Sequence, residues 1–197
     1  MIRCGLDEAG RGPLAGPVCA ASVILSKDFP FEILKDSKKL SEKNREAARI
    51  IICERAVAWG IGWASAAEID AINILKASLL AMERAYAAML EAAQRSGVAL
   101  ECSEAIVDGL YTPIIPIPCT PMVKADALIP EVMAASILAK TARDRMMERY
   151  GWIYPEYGFE QHKGYPTRLH RERILQYGPS PIQRYSFSIG PELDFGN

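Results

Sequence analysis

Four carboxylates are spaced as a chain would need them to handle an anionic substrate: Asp7, Glu8, Asp108 and Asp126. Asp7 and Glu8 are adjacent within GLDEAGRGPLAGPV, and Gly10, Arg11 and Gly12 follow at once. Magnesium and similar hard cations take oxygen ligands and are held by a few carboxylates plus substrate phosphate. Two such ions about 4 Å apart clamp the attacking and leaving oxygens of a phosphodiester displacement. That chemistry needs acids from remote stretches to converge on rigid strand ends. Each acid also has a plainer reading. Asp7 and Glu8 suit a turn before Gly10, Asp108-Gly109 a turn dipeptide, and Asp126 the cap of the next helix. Together, the four acids favour the metal reading. Strand alternation would send Asp7 and Glu8 to opposite faces, so both reach one site only where the strand is ending.

The glycines fit the same picture. A Gly-Arg-Gly turn lets backbone amides approach a ligand with no β-carbon in the way. The 2′-hydroxyl that separates RNA from DNA is one ligand for such a turn, and a phosphate is another.

The elements that must position these residues read as an α/β chain. IRCGLD and GPVCAASVIL are strands flanking the glycine-rich turn. A helix begins after Ser37 or Ser41, either of which can cap it. Residues 57–65 alternate Val57, Trp59, Ile61 and Trp63 with small residues, as in a third strand. A long helix covers about 73–95, with Leu75, Leu79, Met82, Tyr86 and Met89 as its core stripe. EAIVDG is a short strand, and TPIIPIPCTPM holds too many prolines for a central strand. PEVMAASILAKTARDRMMERY is helical, with Val132, Ser136, Ala139 and Arg143 on one side. A last helix runs from the Thr167 cap to Gly178. Strands first and helices last predict a part-antiparallel, part-parallel sheet with a helical C-terminal portion.

The 197 residues carry a net charge of −1, which argues against a general polyelectrolyte binder. Residues 161–184 stand apart, with Lys163, Arg168, Arg171, Arg173 and Arg184 against Glu172, a local balance of +4. That suggests one anionic contact face. The five cysteines are scattered without a CxxC pair, so buried thiols in a reducing cytosol are expected. No leader pattern or apolar run of about 18 residues is seen, so a cytoplasmic protein without a membrane span is expected. His162 and His170 read as a local hydrogen-bonding group and a helix-face residue, not as general bases.

Taken together, GLDEAGRGPLAGPV, DSKKLSEKNR, EIDAINILKASLLAMERA, VDG, ADALIPEVMAASILAKTARDRMM and YPEYGFEQHKGYPTRLH closely resemble bacterial ribonuclease HII, from about residue 4 to Phe187. The resemblance implies an RNase H-like α/β fold: a mixed β-sheet flanked by helices, with a helical C-terminal extension. The expected organisation is one domain over 1–197, its core about 1–150 and its helical portion about 151–197. The implied activity is metal-dependent cleavage of RNA in RNA–DNA hybrids, and of the 5′ side of ribonucleotides embedded in duplex DNA. Asp7, Glu8, Asp108 and Asp126 match the family's four acids around two ions, Mn²⁺ or Mg²⁺. Gly10, Arg11 and Gly12 match the loop that senses the 2′-hydroxyl, and Tyr165 the tyrosine that stacks on the junction sugar. Lys38, Lys39, Ser136, Lys140 and Arg143 fall in blocks lining the substrate groove, and Lys163 flanks Tyr165 as a phosphate contact. The sequence departs from the family at Ala125, where glycine is usual, at Leu110 in place of asparagine, and at Tyr185 in place of a basic residue. No paired-aromatic clamp motif follows Phe187, so no clamp partner is expected, and a monomer is. The ribonuclease HIII branch, a non-catalytic hybrid binder and a DNA strand-transfer enzyme of the same broad fold are the alternatives.

Overall fold

The computed structural model describes residues 2–34 and 41–188. Five strands form one sheet: β1 (Ile2–Ala9), β2 (Val18–Ile24), β3 (Ala58–Ala64), β4 (Cys102–Asp108) and β5 (Cys119–Met122). Their order across the sheet is β3-β2-β1-β4-β5. β1 pairs antiparallel with β2, and β2 with β3, whereas β1 with β4 and β4 with β5 are parallel. The mixed sheet read from the sequence is present. The proline-rich run contributes only β5, at the sheet edge, where the N–H that Pro121 lacks is not needed by a further strand.

Helices cover both faces: α1 (Glu42–Arg55), α2 (Ala66–Ile72), α3 (Ile74–Arg95), α4 (Pro130–Ile153), the single turn α5 (Phe159–His162) and α6 (Arg168–Tyr177). α3 lies across β3 and β2, while α4 lies across β1 and β2 with α1 against it. β2 is buried along its whole length because alternate residues feed opposite cores. Val18 and Ala20 join Met82, Tyr86 and Met89 on the α3 side, and Ala21 and Val23 join Ile52, Ile137 and Leu138 on the α4 side.

The caps explain where helices start. Ser41 accepts from the Asn44 amide at 3.3 Å, so it starts α1; Ser37 lies outside the described residues. Thr167 accepts from the His170 amide at 3.2 Å and starts α6. The sequence reading missed α2, which opens on a reciprocal Ser65–Glu68 capping box and ends at Asn73, whose φ is 68°. The plainer reading of Asp126 does not hold: it does not cap α4, for the helix begins at Pro130 after Ile129, with no side-chain cap, and Asp126 sits in the 3-10 turn Ala125–Ala127. Ala125, where the family has glycine, fits that turn. Lys124 takes the left-handed conformation there, and Ala125 is buried among Ile106, Val132 and Met122.

Candidate active site

The register of β1 against β4 builds the centre of the site. Leu6 pairs with Val107, so the next position sets Asp7 beside Asp108 at the end of both strands' shared ladder. Side chains opposite each other in a parallel pair share a face. β1 continues against β2 to Ala9, whereas β4 ends at Asp108. The ladder ends on the β4 side, so Glu8 also reaches the site. Asp126 comes from the turn before α4, where its backbone N–H donates to Asp108 Oδ1 at 3.4 Å.

The electrostatics follow from this packing. Asp7 is buried, and burial, then the Glu8 charge and that of Asp108, hold its carboxyl well above the usual carboxylate range. The Glu8 backbone N–H donates to Asp7 at 2.8 Å and, with the nearby Ser136 hydroxyl of α4, pulls the other way. Burial also raises Glu8, and the Arg11 guanidinium, 3.2 Å from Oε1, lowers it. Glu8 Oε2 is buried and has no hydrogen-bond partner among the described residues. An orphaned carboxylate oxygen beside two more carboxylates is an arrangement that a hard cation would relieve. The donor set of oxygens alone fits Mg²⁺ or Mn²⁺. Among the described residues no group of three or more acids, histidines or cysteines lies close enough together to hold a metal ion as it stands.

A cleft of about 260 Å³ opens beside these acids, lined by Glu8, Ala9, Arg45, Ser136, Ile137, Lys140 and Tyr165. Tyr165 is 38% exposed, and Lys140 Nζ stands 5.8 Å from its ring centroid. A β-carbon on Gly12 would lie 3.8 Å from that ring, so the glycine-rich loop and Tyr165 share one rim. The loop turns at Gly10, where φ is 99° and a β-carbon would sit 2.0 Å from Arg143 Nε. Gly12 and Arg11 are exposed.

The structure thus brings Asp7, Glu8 and Asp108 close enough to interact, ties Asp126 to Asp108 through its backbone N–H, and sets Glu8, Ser136, Lys140 and Tyr165 around the cleft, with Gly10, Arg11 and Gly12 in the loop on its rim. Lys163 borders them, but its ammonium is held by Glu148 at 2.7 Å and by the Glu160 carbonyl at 2.6 Å. Lys38 and Lys39 lie outside the described residues. Arg143 is not a groove residue. It is 1% exposed, and its guanidinium donates to the carbonyls of Pro17, Ala15 and Lys163 at 2.9, 3.2 and 3.0 Å. Arg184 was counted with the surface charge of its segment, yet it is fully buried and bonded to four backbone carbonyls. Arg45, at the end of the DSKKLSEKNR block, also lines the cleft; the sequence alone singles out Lys38 and Lys39 there.

His162 and His170 are both buried and stacked, with ring centroids 4.4 Å apart. His162 Nδ1 accepts the Gly164 N–H at 3.1 Å, and His170 Nδ1 bonds the Tyr165 carbonyl at 3.0 Å. They support the Tyr165 turn from below. Leu110 is exposed, and Tyr185 is exposed with its backbone N–H on Asp70 at 3.0 Å.

Comparison with known proteins adds a family match and similar folds. The sequence pattern of the Ribonuclease HII family matches residues 4–189. Ribonuclease HII of Treponema denticola is 58% identical over 194 residues, covering 94% of this chain and 98% of that protein. Ribonuclease H2 of Pyrococcus horikoshii superposes with a TM-score of 0.74 at 25% identity, over 98% of this chain and 97% of that one. The RNase HII of Archaeoglobus fulgidus, solved as a complex with PCNA, gives 0.73 at 26% identity, over 95% and 96%. Strand-end acids, a bare glycine loop beside a tyrosine, and a family match over nearly the whole chain converge on one conclusion: this chain belongs to the ribonuclease HII family and is a ribonuclease H.

Proposed function

We propose that this chain is a divalent-metal-dependent endonuclease. It hydrolyses the RNA strand of RNA–DNA hybrids and cuts on the 5′ side of single ribonucleotides embedded in duplex DNA, leaving a 5′-phosphate. The observation that carries the reading is Asp7 beside Asp108 at parallel strand ends, with Gly12 and Tyr165 on the adjoining rim. Asp7, Glu8, Asp108 and Asp126 would hold the cations. When bound, Mg²⁺ or Mn²⁺ supplies Lewis-acid polarisation of the phosphate and a more acidic water. The chain's own residues do the rest. Ser136, on α4 near Asp7, offers a hydroxyl to the cleft. The Arg11 and Gly12 backbone faces the ribose, and the Tyr165 ring packs on the neighbouring sugar. Lys140 and Arg45 supply cations to the phosphates along the cleft. The five cysteines are free thiols, in keeping with a cytoplasmic enzyme. Among the described residues no helix is long and apolar enough to cross a membrane. We infer action as a monomer.

The test is a labelled DNA duplex with one internal ribonucleotide, incubated with and without Mg²⁺ or Mn²⁺, with the cut mapped. Metal-dependent cleavage 5′ to the ribonucleotide, and none of an all-DNA duplex, is expected. No product at any metal concentration, or equal cutting of the all-DNA control, overturns the reading.

A further inference from the structure

The loop from Gly10 to Pro17 is held almost entirely by its carbonyls. Arg184 Nη2 donates to Gly10 at 2.7 Å, Nη1 to Arg11 at 3.1 Å and Pro13 at 2.8 Å, and Nε to Gly16 at 2.8 Å. Arg143 takes the carbonyls of Ala15 and Pro17. Leu14's carbonyl accepts from the Gln183 side chain at 3.0 Å and from the Arg184 backbone N–H at 2.9 Å. Gly12 apart, every carbonyl of the loop is therefore drawn inward. In a trans peptide the N–H points opposite the C=O. Capturing the Gly10 and Arg11 carbonyls turns the N–H groups of Arg11 and Gly12 outward. Neither N–H has an acceptor among the described residues, and both residues are exposed beside Tyr165.

Two buried guanidiniums are an expensive way to hold a surface loop. Isolated charges are costly to desolvate, and neither arginine ion-pairs with a carboxylate among the described residues. Arg184 is fully buried all the same. A turn needing only shape would be served by its own backbone hydrogen bonds. A guanidinium instead offers five donors in one rigid plane, which fixes several peptide orientations at once.

We propose that Arg184, seconded by Arg143, is a positioning residue for sugar discrimination: it presets the Arg11 and Gly12 amides as a pair of donors to the ribose 2′-hydroxyl. This rests on the reading of the cleft given above. Arg184 touches no substrate atom and acts only through the loop. Its loss therefore lowers turnover and the preference for ribose, and leaves contacts to the phosphate backbone intact.

The experiment compares wild type, Arg184→Lys and Arg184→Met on the single-ribonucleotide duplex. It measures kcat and KM per folded molecule, thermal melting, and metal-free binding of that duplex against its all-deoxy counterpart. For Arg184→Lys we expect kcat to fall about 10²-fold, as when one preorganised donor is lost. KM should change little, and the binding preference for the ribonucleotide duplex should collapse toward unity while all-deoxy affinity stays at the wild-type level. Arg184→Met should be worse than Arg184→Lys. Unchanged ribose preference and turnover in folded Arg184→Lys overturns the proposal. Where Arg184→Lys does not fold, Arg143→Lys must lower the same preference, and failure of either to do so leaves a purely structural clamp. Wild type that cuts no ribonucleotide duplex refutes the functional reading itself. Wild type that cuts, beside a discriminating Arg184→Lys, refutes only this inference.

Discussion

Asp7 is poised between two requirements. Its carboxyl is buried next to Glu8 and Asp108, so without a cation its charge destabilises the fold. A raised carboxyl in the folded state means that stability declines as pH rises from the ordinary carboxylate value toward the raised one. Asp7→Asn removes that cost. It should raise the melting temperature at neutral pH by about 2–4 °C for each kcal/mol recovered, while cleavage drops below detection. The gain should disappear below about pH 4, where the carboxylate reference is itself protonated. Asp108→Asn should also abolish cleavage. A wild-type melting curve already higher than that of Asp7→Asn at pH 7 without metal would contradict this account. Gly10→Ala tests the loop from the other side. Its β-carbon would meet the Arg143 guanidinium at a backbone of positive φ, so a loss of several kcal/mol in chemical denaturation is expected. The acids stood out in the sequence only as a combination, since each alone fits a turn or a cap. Arg184 was not, because an arginine in a basic segment looks the same whether it faces water or carbonyls.

Elements carry these residues with different degrees of transparency. β1, β4 and α4 were readable from alternation and helical spacing. α2 was missed because seven residues give too little periodicity, although its capping box was there to be seen. The face of β3 was half-read. The small residues opposite the tryptophans are the fully buried side, and a β-carbon on Gly62 would lie 2.1 Å from the Ala81 carbonyl oxygen of α3. Gly62→Ala must therefore push a helix from a strand and should cost more than about 3 kcal/mol in denaturant titration. The turn bearing Tyr165 rests on the histidine pair. Burial and the stacked His162 push His170 down to about 4. A histidine depressed in the folded state gives stability that is full above its ordinary value near 6.5 and is lost as pH falls toward 4. Thermal melts should show a loss on the order of 2–3 kcal/mol across that window, and His170→Asn should flatten it.

At the scale of the molecule, the helical C-terminal portion is an integral part of the catalytic layer. Ala15 bridges Gln183, Gly16 donates to Ile182 at 2.8 Å, and Leu14 to Gly164 at 2.8 Å. The +4 segment is accordingly less of a contact face than its charge suggested. Arg184 is inside, Lys163 is tied to Glu148, and exposed Arg168 pairs with Glu172. Ending the chain at Gly178 should lower the melting temperature by more than about 10 °C, since charged hydrogen bonds are worth about 1.5–3 kcal/mol each. Cleavage should be lost even well below that melting point. Overall architecture was legible because strand and helix periods are local. The clamp was not, because its partners lie 174 positions apart and no local pattern records them.

The same separation has a consequence for biosynthesis. The ribosome makes Gly10 at a point 174 residues before Arg184. Until that guanidinium arrives, the Gly10, Arg11, Pro13 and Gly16 carbonyls lack the donor that fastens them. A nascent chain can therefore carry the loop and the acids of β1 and β4 before the guanidinium that fastens the turn has been made, so the turn is set only once synthesis has passed Arg184.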